Sequence, residues 1–99
     1  MKLNVFIFQN VILNCFTTPT FDDHDPEVAA IQLKRSLIVE KDITKVDPYK
    51  NLRMYNLGTF DDDTGKLDVF PEPVLLLDCT EVVKGRDDYV ESKPIERKA

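Results

Sequence analysis

Residues 52–70 restrict the fold more than any other stretch of the chain. Leu52 to Phe60 has strand character, Asp61-Asp62-Asp63-Thr64-Gly65 supplies turn chemistry, and Lys66 to Phe70 returns with strand character. Gly65 can take positive φ without steric cost, and aspartate side chains hydrogen-bond readily to nearby backbone. This spacing predicts a β-hairpin.

The N-terminal segment predicts a second hairpin. In Lys2–Phe8 the side chains of Leu3, Val5 and Ile7 point one way, and those of Lys2, Asn4, Phe6 and Phe8 the other. Gln9-Asn10 can turn the chain, with Val11 to Phe16 as the partner strand. Thr17 to Asp25 reads as a loop containing Pro19.

A helix is predicted to start at Asp25-Pro26-Glu27. The Asp25 carboxylate can accept from free N–H groups, Pro26 needs no donor at the first helical position, and Glu27 complements the positive helix start. Ala30, Leu33 and Leu37 form one apolar row, flanked by Val28, Ile31 and Ile38, and the helix should end near residues 39–41. Residues 40–51 read as a polar connection broken at Asp47-Pro48. Pro71-Glu72-Pro73 reads as a second break, and Val74 to Leu77 as a short buried strand. The order β-β-α-β-β-β predicts an α+β domain: a small, mostly antiparallel sheet with one helix packed on one face. The domain is expected to span residues 1–83, with 84–99 as a flexible charged tail.

Ninety-nine residues suffice for one domain with a thin core, so association with a second copy would help stability. No run approaches the roughly 18 apolar residues that span a bilayer. The apolar run Val5–Phe8 is short and is not followed by a small-residue cleavage site. A soluble chain in a reducing cytosol is expected, with Cys15 and Cys79 as free thiols in apolar surroundings. The formal net charge of -5 argues against simple charge-driven nucleic-acid binding. The charge is uneven: residues 84–99 carry a net +1 and residues 1–83 a net -6. Much of the acid sits at Asp22, Asp23, Asp25, Glu27 and Asp61–Asp63, which leaves room for a local basic face.

Catalytic and metal signatures are sparse. His24 is the only histidine and reads as a solvated loop residue. Counting from Asp61, Asp63 and Glu72 fall at the third and twelfth positions of a calcium loop. However, Lys66 stands where that loop needs glycine, and the flanks are strands rather than helices. The chain has neither a glycine-rich phosphate loop nor a GxSxG elbow. No enzymatic activity, cofactor or metal is expected.

The remaining pattern is basic and aromatic side chains sharing faces, as in proteins that stack bases on rings and track the phosphates with cations. Arg53 and Tyr55 have the same strand parity, Tyr49 and Lys50 lie just upstream, Lys2 shares a face with Phe6 and Phe8, and Lys34 and Arg35 are adjacent on the helix. Phe6 and Phe8 are read first as core or interface residues, and Arg53 and Tyr55 first as an ordinary solvated sheet face.

Together these segments resemble a known family. Met1-Lys2-Leu3-Asn4-Val5-Phe6, the helix with Ala29-Ala30-Ile31, Leu52-Arg53-Met54-Tyr55-Asn56-Leu57-Gly58-Thr59-Phe60-Asp61-Asp62-Asp63-Thr64-Gly65-Lys66-Leu67 and Pro73-Val74-Leu75-Leu76-Leu77 are similar to the small nonstructural protein of gokushoviruses, single-stranded DNA phages of the Microviridae. The likeness covers roughly residues 1–80. It implies a DNA-binding or replication-associated role in the host bacterial cytoplasm, at the switch from double-stranded replication to single-strand synthesis and packaging. It supplies no catalytic residues.

Two functions are therefore expected. The first is a homodimeric single-stranded DNA binding accessory protein, with Lys2, Lys34, Arg35, Lys50, Arg53 and Tyr55 as contacts. The second is an acidic protein–protein adaptor, whose loops at Asp22–Asp25 and Asp61–Asp63 engage a phage replication initiator or a host replication protein without touching DNA.

Overall fold

The computed structural model describes residues 1–89. It is an α+β fold built on an antiparallel sheet. The strands are β1 (Lys2–Asn10), β2 (Cys15–Phe16), β3 (Thr20–Asp22), β4 (Leu52–Asp61) and β5 (Leu67–Asp78), in the order β2-β1-β4-β5, with β3 also paired to β1. The helices are α1 (Pro26–Val39), α2 (Ile43–Val46) and α3 (Cys79–Lys84), with a 3-10 turn at Asp47–Tyr49.

The β4–β5 hairpin forms as its sequence predicts. Gly65 adopts φ 74°, its N–H donates to the Asp61 carbonyl at 2.7 Å, and the Asp61 N–H donates to the Lys66 carbonyl at 2.8 Å. Helix α1 also starts where expected: the Asp25 carboxylate accepts from the Glu27 N–H at 2.9 Å, and Pro26 occupies the first turn. Of the predicted apolar row, Ala30 and Leu37 are buried and Leu33 packs against them, while Val28, Ile31 and Ile38 stay exposed.

Several local expectations are corrected. β1 runs on through Gln9-Asn10, and its partner shrinks to Cys15–Phe16. The cause is Asn10, whose Oδ1 accepts from the Ile12 and Leu13 N–H groups at 3.0 and 2.9 Å and so winds residues 11–14 into a turn. Asn14, at φ 51°, completes that turn. The loop after it contains β3, with Phe21 opposite Val5.

Asp47-Pro48 does not break the chain but opens the 3-10 turn, because proline fits an N-terminal helical position. Pro71-Glu72-Pro73 does not break β5 either. The pairing steps from Val69 opposite Gly58 to Val74 opposite Asn56, so the prolines need no ladder hydrogen bond on this edge strand. The expected single helix becomes three, with Asp78 capping the third by accepting from the Thr80 N–H at 3.1 Å. The anticipated tail boundary at 83/84 falls inside α3, and residues 90–99 of that tail lie outside the described residues.

All the helices pack on one side of the sheet. Phe6 and Met54 are buried against Ala30, with Phe8, Leu33 and Leu77 alongside. A second cluster joins Leu37, Val46, Cys79 and Val83, and Phe8, Leu33 and Leu77 touch it too. The two clusters form one thin layer between sheet and helices, in which each buried Val, Leu, Phe or Met side chain contributes about 1.5–3 kcal/mol. Among the described residues no helix is long and apolar enough to cross a membrane.

Candidate functional site

Phe6 and Phe8 point into the helical layer. Strand alternation therefore turns Leu3, Val5 and Ile7 to the opposite face. Cross-strand partners share a face, so the register places the other residues there. Leu3 lies across from Phe60, and Phe60 from Leu67. Val5 is flanked by Phe21 on one side and by Gly58, then Val69, on the other. Ile7 is followed by Tyr55 and Leu75. The next row, Phe16, Gln9, Arg53 and Asp78, is mostly polar.

This open face is apolar at its centre and polar at one border. Val5 is 1% exposed and Ile7 5%, although every helix lies on the other side of the sheet. The side chains of their own face cover them. Phe16 meets Tyr55 edge to face at 6.2 Å, and Phe21 meets Phe60 at 5.2 Å. The surrounding Phe16, Phe21, Leu67, Val69 and Leu75 remain about half exposed. Gly58 allows the close approach of β5, since a Cβ there would lie 2.0 Å from the Asp68 carbonyl oxygen.

The expected phosphate contacts do not gather into one site. Arg53 and Tyr55 share the open face, but Arg53 Nε lies 3.4 Å from Asp78 Oδ2, and the Tyr55 hydroxyl donates to Gln9 Oε1 at 3.1 Å. Lys50 Nζ is 3.3 Å from Asp47 Oδ1. Lys2 lies opposite Asp61 in the register. The Asp61 carboxyl is held below its ordinary range chiefly by the Asp63 amide, with Lys2 a lesser cause. Lys2 is also seven residues from Gln9, roughly 23 Å along β1. Lys34 and Arg35 sit on α1, across the sheet from Tyr55. Lys34 shares a shallow groove of about 530 Å³ with Glu81, Asp87 and Asp88, whereas Arg35 makes no ion pair among the described residues.

The acidic clusters form two separate groups at one end of the sheet. Asp22 pairs across from Asn4 and Asp61 across from Lys2, on opposite sides of β1, so both clusters lie at the start of that strand. At one cluster the Met1 ammonium is 2.8 Å from Asp62 Oδ1 and 2.5 Å from Asp63 Oδ2. At the other, His24 pairs through Nδ1 with Asp22. The His24 N–H and ring hold the Asp22 carboxyl below its ordinary range, and the Asp22 carboxylate raises the His24 imidazole.

The sequence reading missed Phe16, Phe21, Phe60, Leu67, Val69 and Leu75 as surface residues. A signal for them was present in β1, which is apolar on both faces and so calls for cover on both. Comparison with protein-family models, with curated proteins and with solved structures found no match.

Proposed function

We propose that the chain is a non-catalytic protein–protein adaptor. In this reading, which takes its setting from the gokushovirus resemblance, it would act in the host bacterial cytoplasm on a phage replication initiator or a host replication protein. The disposition of charge carries this reading. The expected phosphate contacts are matched to carboxylates or set apart, while the five carboxylates of Asp22, Asp23 and Asp61–Asp63 lie at one end of the sheet and outnumber the Met1 ammonium, Lys2 and His24 beside them. That end suits a basic protein partner and repels phosphate. The uncovered apolar rows add a surface that favours protein over nucleic acid, because nucleic-acid interfaces are polar and strongly positive.

Direct contact with single-stranded DNA is the second reading. The Phe16–Tyr55 ring pair beside Arg53 favours it, since single-strand binders combine rings with cations.

A fluorescence-anisotropy titration against a labelled single strand, at low and at near-physiological salt, separates the two. The adaptor reading predicts no saturable binding at near-physiological salt. Saturable, salt-sensitive binding that is lost in Arg53→Ala and Tyr55→Ala would overturn it in favour of DNA.

A further inference from the structure

We infer that the open sheet face is covered by a second copy of the chain, in a two-fold sandwich with the helical layers outside. The inference rests on reading that face as a protein-contact surface and goes on to name its occupant.

Area is the first argument. A large aromatic side chain presents about 150–250 Å² when whole. The exposed halves of Phe16, Phe21, Leu67, Val69 and Leu75 thus present on the order of 400–500 Å² of apolar surface. A standard interface buries about 800 Å² per partner, and homodimer interfaces are about 65% apolar. The apolar rows with their polar border therefore match what a stable homodimer needs.

Selectivity is the second. A foreign partner is chosen by charge or hydrogen bonding at the centre of the contact. The rows of Leu3 and Val5 offer neither, the Tyr55 hydroxyl in the row of Ile7 is already bonded to Gln9, and an isologous contact needs only apolar self-complementarity. The chain beyond Tyr89 is poorly suited to cover them, since its only large apolar side chains are Val90 and Ile95.

Charge fixes the orientation. Both acidic clusters lie at the start of β1, and β1 is 9 residues long. A two-fold axis across the strands sets the clusters of the two copies at opposite ends, about 30 Å apart along the strand. That is several Debye lengths at physiological salt, roughly 8 Å each. A parallel alignment would instead gather all four clusters at one end of the sandwich.

Sedimentation equilibrium of the full chain tests the proposal. The expected mass is twice the 11.4 kDa of one chain. The double variant Val69→Lys/Leu75→Lys should keep its far-UV circular dichroism and raise the dimer dissociation constant at least about a hundredfold, because it drives ammonium groups into an apolar contact. Either lysine alone should give a smaller rise, so the test survives if the double variant misfolds. Ile31→Lys on exposed α1 should leave the dimer intact. A monomeric wild type overturns the second-copy inference alone, as does a dimer that the face variants leave unchanged. A monomer that also binds a single strand through Tyr55 overturns the adaptor reading with it.

Discussion

The guanidinium of Arg86 donates to the main-chain carbonyl of Leu37, fastening the segment after α3 onto the C-terminal end of α1. The same group donates to the Glu40 carbonyl at 2.5 Å and grips the Asp88 carboxylate through two bonds of 2.9 Å. Helix carbonyls at this end lack intrahelical partners and carry partial negative charge, so a guanidinium suits them twice over. Arg86→Ala should lower Tm by about 5–10 °C in thermal circular dichroism, as expected for losing charged hydrogen bonds in a domain this size. Arg86→Lys should recover only part of the loss, since one ammonium cannot span all three partners.

Gly58 is required by distance. A Cβ would meet the Asp68 carbonyl oxygen at 2.0 Å and the Val69 Cα at 2.9 Å, both main-chain atoms that cannot swing away. Gly58→Ala should cost about 3 kcal/mol or more in urea unfolding, above the usual range for overpacking. Gly65→Ala meets no atom within 4 Å but is strained by φ 74°, and should cost about 1 kcal/mol.

These positions show what was legible in the sequence. The α1 cap, the β4–β5 hairpin and the α+β class follow from local chemistry at Asp25, Pro26 and Gly65, which acts within a few residues. The hairpin turn at Gln9-Asn10 was misplaced because the Asn10 side chain bonds forward into the backbone instead of letting β1 end. The prolines of β5 read as breakers because edge position cannot be seen locally. Strand parity puts Arg53 and Tyr55 on one face, and the register agrees. Parity says nothing of the carboxylate on the next strand, so Asp78 beside Arg53 was out of reach.

His24 and Asp22 should make stability depend on pH. The Asp22 carboxylate raises the His24 imidazole above its ordinary value of 6.5, so its contribution is full below that value and is lost as pH rises through the folded pKa. The His24 N–H and ring depress Asp22 below 3.8, so its contribution is present above that value and is lost as pH falls through the depressed one. The pair should therefore stabilise most between those limits. A proton NMR titration should place the His24 pKa above 6.5, and Asp22→Asn should return it towards that value.

The two thiols should differ in reactivity. Cys79 is fully buried, and burial pushes its thiol up to about 11, whereas Cys15 is exposed. Near neutral pH the native protein should release colour from a disulfide reagent at one thiol only, and denaturant should release the second. Cys15→Ser should abolish the native-state signal.

The central claim is that a second copy of the chain covers the open sheet face. Methyl NMR across a concentration series examines both sides of the sheet at once. The account predicts concentration-dependent shifts at Leu3, Val5, Ile7, Leu67, Val69 and Leu75, with Ala30, Leu33 and Leu37 unchanged. Shifts confined to the α1 methyls Val28, Ile31 and Ile38, or no shifts at any concentration, would contradict it.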